Sequence, residues 1–144
     1  MSADPASVDP AVHSGQQAPT LTFGPLGLTD IVRFAGATGD LNPVHHDPAL
    51  ARSLGHPDVF IMGLLPAAIL GEFAVRWLAP LRLRYLNLRF IDRMWTDELL
   101  ECGGEVIRVD EGTICEVTAK LWVRTTDGTL KVRGECTASS NEDG

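Results

Sequence analysis

The segment Thr38-Gly39-Asp40-Leu41-Asn42-Pro43-Val44-His45-His46-Asp47 holds the side chains of this sequence best suited to chemistry. A carboxylate and an imidazole lie five residues apart, after a glycine and on either side of an Asn-Pro step. Asn42 precedes proline and is pushed out of the α region, so the stretch reads as a bent loop. Gly39 permits backbone conformations closed to other residues, which suits a tight entry into that loop. Such a bend can aim Asp40 and His45 at one volume, which i,i+5 spacing on a regular helix cannot. An acid and a base converging on one volume could exchange protons with a molecule bound there. On spacing alone, a helix-capping aspartate and a hydrogen-bonded loop histidine account for the two residues better than catalysis does.

The flanking sequence must supply the elements that hold this loop. Residues 1–19, rich in Ala, Ser, Asp, Gln and Pro, read as a disordered tail. Thr20 to Phe23 alternates polar and apolar residues and predicts a short first strand, ended by Gly24-Pro25. Thr29 or Asp30 is placed to cap a short helix with Ile31, Phe34 and Ala35 on its apolar stripe, running out near Gly36. Asp47 caps a second short helix from Pro48 to Leu54, closed by Gly55. Gly63 to about Leu78 predicts a long helix, with Pro66 tolerated in its first turn. Its apolar residues cover almost the whole circumference, which marks a buried helix.

Four strands should follow. In Arg82 to Ile91, a switch from arginines to apolar residues on one parity suggests a sheet edge or a bulge. Leu99 to Val109 is weakened by Gly103-Gly104, and Ile114 to Arg124 alternates cleanly with Cys115, Val117, Ala119, Leu121 and Val123 inward. After a turn at Thr126-Asp127-Gly128, Leu130 to Ala138 returns with Leu130, Val132 and Cys136 inward. Residues 139–144 form a polar tail, leaving one domain over 20–138. The order predicts an α+β fold, an antiparallel sheet wrapped around a long central helix. One such sheet cannot surround a helix, so a dimeric partner is expected on the uncovered side.

Composition narrows the function. The net charge of −7 argues against a nucleic-acid or anionic-membrane binder, since both need a basic surface. The three cysteines, odd in number and without CxxC spacing, read as free thiols in a reducing compartment. No basic start followed by an apolar run marks a secretory signal, and Glu72 and Arg76 interrupt the longest apolar stretch. A cytoplasmic protein without a membrane segment is expected.

The run Phe34-Ala35-Gly36-Ala37-Thr38-Gly39-Asp40-Leu41-Asn42-Pro43-Val44-His45, with Asp47, Ala51, Gly55 and Gly63-Leu64-Leu65 beyond it, resembles the MaoC-like dehydratases. These form the (R)-specific enoyl-CoA hydratase family, and the resemblance covers roughly Leu26 to Ala138. It implies a hotdog fold and an acyl-CoA hydratase/dehydratase that adds water to a trans-2-enoyl thioester or removes it from the 3-hydroxyacyl thioester. By position, Asp40 and His45 would be the catalytic pair. Asn42 would shape the loop, and Asn42, Gly63 and Leu64 are the expected substrate-binding residues. The Gly63 backbone, at a helix N-terminus, would hold the charge gathering on the thioester oxygen. No cofactor and no metal are expected, coenzyme A entering only as part of the substrate.

One departure is Met62, where the family usually carries histidine before this glycine. The approach Asp58-Val59-Phe60-Ile61-Met62 is similar to branches acting in heteromeric acyl-CoA dehydratases, so the partner is a second copy or another hotdog subunit. Two other functions fit the same fold: a thioesterase, and a subunit that mainly shapes the acyl pocket. His46, Asp47 and His56 could join His45 as metal ligands, although Asp47 already has a capping role. Arg82, Arg84, Arg89 and Arg93 could meet coenzyme A phosphates or form a solvated strand face. Trp77, Trp95 and Trp122 read as packing residues.

Overall fold

Residues 12–140 are described by a computed structural model. Their elements are strand β1 (Leu21–Phe23), helix α1 (Leu28–Thr38), a 3₁₀ turn (Pro43–His45), helix α2 (Pro48–Ser53), strand β2 (Phe60–Ile61), helix α3 (Leu64–Leu78) and strands β3 (Arg82–Phe90), β4 (Met94–Trp95), β5 (Leu100–Asp110), β6 (Glu116–Thr125) and β7 (Leu130–Ser139). The main sheet runs β1-β5-β6-β7-β3 with every neighbouring pair antiparallel. This is the hotdog arrangement: the sheet curls around α3, which touches β3, β5, β6 and β7. On β6, Val117, Ala119, Leu121 and Val123 are buried and meet Leu70, Phe73, Ala74 and Leu78 of the helix in one core.

The helix is not buried all round. Leu64, Ala68, Glu72 and Val75 lie on an exposed stripe, Leu64 at 57% and Val75 at 48% exposure, because the sheet covers one side only. β3 is an edge strand, and its register with β7 slips between Leu83 and Tyr85. That irregularity turns Leu83, Leu86 and Leu88 inward and explains the parity switch in the sequence.

The twin glycines do not weaken β5, which at 11 residues is the longest strand. They make room for tryptophans. A Cβ on Gly103 would fall 2.5 Å from the Trp122 indole, and one on Gly104 would fall 2.6 Å from Trp77. Trp77 also stacks on Phe73 with ring centres 6.2 Å apart.

Four local expectations are corrected. Residues 12–19 are held along β5, where Gly15 and Ala18 donate to the Val106 and Gly104 carbonyls and Val106 donates to Gln16. Backbone bonding to a free strand edge overrides their polar composition; positions 1–11 and 141–144 of the expected tails lie outside the described residues. At the other end, Ser139 closes β7 and the Ser140 N–H donates to the Cys115 carbonyl. Helix α1 starts after Gly27, whose N–H donates to the Asp30 carboxylate, and runs past Gly36 to Gly39. Gly39 ends it because φ of +76° is open to glycine. Leu130 is 38% exposed and Lys131 buried, since β6 and β7 slip register there: Val123 faces Val132 while Arg124 faces Leu130. Lys131 is the extra residue of a bulge.

Candidate active site

The loop from Gly39 to Asp47 is built as its sequence dictates. Asn42 stays extended at ψ 115°, and its side-chain oxygen accepts from the Val44 N–H at 3.2 Å, starting the 3₁₀ turn. Asp47 takes both the Ala49 and Leu50 N–H groups at 2.9 and 3.1 Å, capping α2. The loop is thereby anchored at both ends. Between the anchors, Val44 and His45 turn inward and are buried, Val44 against Ala51 and Val59.

His45 is fixed by one bond. Its Nδ1 lies 2.8 Å from the Phe60 carbonyl oxygen of β2. A carbonyl only accepts, so Nδ1 carries the proton and the neutral ring keeps Nε2 unprotonated, free to take a proton from water. The ring also meets the Phe60 ring edge-on at 4.9 Å. Phe60 is in turn flanked by His56 at 5.0 Å and Trp95 at 6.1 Å, with the Arg93 guanidinium 5.3 Å above its centre. His56 is thus a packing neighbour, and among the described residues no three His, Cys, Asp or Glu side chains gather to hold a metal.

Asp40 is half-buried, its carboxylate reaching the Asn42 N–H at 3.5 Å. Among the described residues, no hydrogen bond or ion pair joins it to His45. The pair shares one loop without direct contact.

Gly63 precedes the first turn of α3, and its carbonyl accepts from Ala67. In the first turn the Leu65 N–H already donates to the Met62 carbonyl and Pro66 has none, which leaves the N–H groups of Gly63 and Leu64 as candidate donors. The Phe90 ring packs against the Gly63 Cα, where a Cβ would fall 2.9 Å from it. Gly63, Leu64, Phe60, Phe90 and Arg93 line an open depression of about 490 Å³. Met62 is 2% exposed and belongs to the core, pairing with neither catalytic candidate.

The four arginines do not form one cluster. Arg93 lines the depression at Gly63, whereas Arg89 lines another with Lys120, Trp122 and Arg133. Arg84 donates from Nε to the Ser139 hydroxyl at 2.9 Å. The cysteines are free; burial pushes the Cys102 thiol up to about 12 and that of Cys136 to about 11.

Two participants were invisible in the sequence. One is the Phe60 backbone carbonyl, which no side-chain pattern announces. The other is β4, whose two residues pair Met94 with Ile61 and Trp95 with Phe60. A two-residue ribbon leaves no periodicity to detect.

With this geometry established, comparison with known proteins is decisive. The MaoC-like domain family matches residues 11–126. The chain belongs to that family. It is 32% identical over 101 residues to the 3-oxo-4,17-pregnadiene-20-carboxyl-CoA hydratase beta subunit of Mycobacterium tuberculosis, spanning 69% of this chain and 76% of that protein. It superposes on the crystal structure of the ChsH1-ChsH2 complex from Mycobacterium tuberculosis with a TM-score of 0.79 and 26% identity, covering 91% of this chain and 100% of that one. The (R)-hydratase from A. caviae involved in PHA biosynthesis also gives 0.79, at 24% identity and 89% and 96% coverage, a likeness of fold. The hotdog architecture and the MaoC-like hydratase/dehydratase family are thus shown. No helix among the described residues is long and apolar enough to cross a membrane.

Proposed function

We propose that this chain is a hydro-lyase acting on coenzyme A thioesters, hydrating a trans-2-enoyl group or dehydrating the 3-hydroxyacyl group, with Asp40 and His45 as its acid–base pair. The observation that carries this is the bond from His45 Nδ1 to the Phe60 carbonyl, which leaves Nε2 as a base on the loop that also carries Asp40. In hydration, the water oxygen bonds to Cβ while one of the pair takes its proton. The electron pair of the Cα–Cβ double bond moves toward the thioester, and a proton delivered to Cα completes the addition. The thioester oxygen gathers negative charge, for which N–H groups at the start of α3, with Gly63 first among them, are suited donors. Leu64 and Asn42 keep different places in this scheme: exposed Leu64 offers an apolar wall, and Asn42 holds the loop.

A second hotdog chain is part of the proposal. The edge strand β3 exposes Tyr85 and Phe90, the next residue Ile91 is also exposed, and the uncovered side of α3 exposes Leu64 and Val75. An open edge beside apolar side chains calls for cover. The hydratase beta subunit and the ChsH1-ChsH2 complex among the relatives favour a different subunit over a second copy. They also make a steroid-type enoyl-CoA the first substrate to assay.

The test is loss of the enoyl absorbance by the chain alone and with a candidate hotdog partner, beside release of free thiol, which would mark a thioesterase. Asp40→Asn and His45→Gln should each lower kcat by about 10²–10⁴ in folded protein. Unchanged turnover in either variant would refute the catalytic assignment and leave the pocket-shaping subunit. Native mass with and without the partner decides the assembly.

A further inference from the structure

Lys131 is 2% exposed, and its ammonium has an acceptor for each of its three protons: Asp92 at 3.0 Å, Glu98 at 2.9 Å and the Arg93 carbonyl at 2.7 Å. A lysine is seldom buried to this extent without a task that repays its desolvation. The bulge between β6 and β7 turns it inward, out of the alternation that would have left it in solvent. What it grips is the loop carrying β4. The Arg93 carbonyl lies immediately before Met94, and the second oxygen of Glu98 accepts from the Trp95 N–H at 2.9 Å. Lys131 therefore brackets the two residues of β4 from both ends. The backbone adds to the grip, since the N–H groups of Ile91 and Asp92 donate to the Lys131 carbonyl.

β4 pairs with β2 alone, and a two-residue ribbon is too short to hold its own position in water. Yet β2 provides the carbonyl that fixes the proton on His45. The path runs from Lys131 to Arg93 and Glu98, to Trp95, across the ladder to Phe60, and to His45 Nδ1. We infer that Lys131 is a positioning residue for the catalytic histidine: its buried ammonium ties the β2–β4 ribbon to the main sheet and so sets the tautomer and direction of the His45 ring. Burial opposes the charge most strongly, but the bonds to Glu98 and Asp92 outweigh it and hold the Lys131 pKa above the ordinary lysine value. The clamp is thus charged wherever the enzyme works. This inference rests on the proposed role of His45, but the ring's state can be read without any substrate.

The experiment is long-range ¹H–¹⁵N spectroscopy of the histidine rings in the full chain near neutral pH or above, comparing wild type with Lys131→Met and Lys131→Arg. Wild type should show His45 as one tautomer, Nδ1 protonated and slow to exchange. In folded Lys131→Met, exchange of that proton should quicken by at least about tenfold, the loss of one hydrogen bond's worth of protection, and the second tautomer should appear. Where turnover is measurable, kcat should fall about 10–100-fold with KM held within about threefold, the signature of a misaimed group. Lys131→Arg, which keeps charge and donors, should recover more of both than methionine does. A folded Lys131→Met with the wild-type ring spectrum would overturn the inference. Should Lys131→Met not fold, Glu98→Gln removes half of the clamp's charge and keeps an oxygen for the Trp95 N–H; an unaltered His45 exchange rate there overturns it equally. If the ring responds but the wild type hydrates no enoyl thioester, the proposed function fails and the positioning link stands.

Discussion

The main sheet and the β2–β4 ribbon are held by different physics. The sheet joins strands of 9 to 11 residues through β3, β5, β6 and β7, with Val106, Val117, Leu121, Val123 and Val132 buried against α3. The ribbon is two residues on two, and it depends on Lys131, Glu98 and a few carbonyls. Burial of apolar area is non-directional and tolerates small shifts, whereas polar bonds fix direction and contribute little net stability. The stable part of the molecule is therefore not the part that aims the histidine. Division of this kind allows the site to change while the fold persists.

Several substitutions would break or sharpen that contrast. The largest effect should come from His45→Gln, which should cost about 10²–10⁴ in kcat yet leave the unfolding free energy from urea titration within about 1 kcal/mol of wild type. A larger loss would mean that the loop carries stability after all. The converse is Leu121→Ala in the sheet, expected to lose about 2–5 kcal/mol by denaturant unfolding while the folded fraction keeps its turnover. Gly103→Ala tests close packing in the same sheet: its methyl would press on Trp122, at about 1–3 kcal/mol, with no effect on the histidine spectrum.

pH acts on the two partners of the clamp with opposite sign. The folded pKa of Lys131 is raised above 10.5, so its clamp contributes fully below the unfolded lysine value and is lost as pH rises through the folded one. Asp92 behaves oppositely: the hydrogen bond from Lys131 lowers it below 3.8, and its contribution is lost as pH falls through that lower value. Melting followed on the alkaline side should fall above about pH 10.5 in wild type, and Lys131→Met should lack that part of the decline. The smallest change belongs to Glu72→Ala, which removes the exposed i,i+4 pair with Arg76; about 0.3–0.5 kcal/mol, near the limit of a melting curve, is expected.

Much of this was legible in the sequence because it is local or periodic. Asp47 capping α2, Asn42 turning before Pro43, the inward row of β6 and the edge character of β3 each follow from residues within a few positions of one another. The exceptions are instructive. Gly103 and Gly104 read as weak points because the tryptophans above them are distant in sequence. Residues 12–19 read as a tail because composition cannot report a free edge on β5. Leu130 and Lys131 exchange their expected faces because a bulge resets the parity that strand patterns assume.

The same division runs through the site. By itself, the sequence determined which side chains could do acid–base chemistry, that Asp40 and His45 lie on one bent loop, and that a long apolar helix needs a sheet around it. Those depend on residue type, on neighbours and on period. Only the tertiary structure decided which nitrogen of His45 carries the proton, which ring packs on Gly63, and that a lysine 86 positions further along the chain bonds the loop that carries the ribbon. Each of these is a contact between segments far apart in sequence, made by a backbone carbonyl, a ring or a re-aimed ammonium. Such contacts exist only once the sheet has closed around the helix.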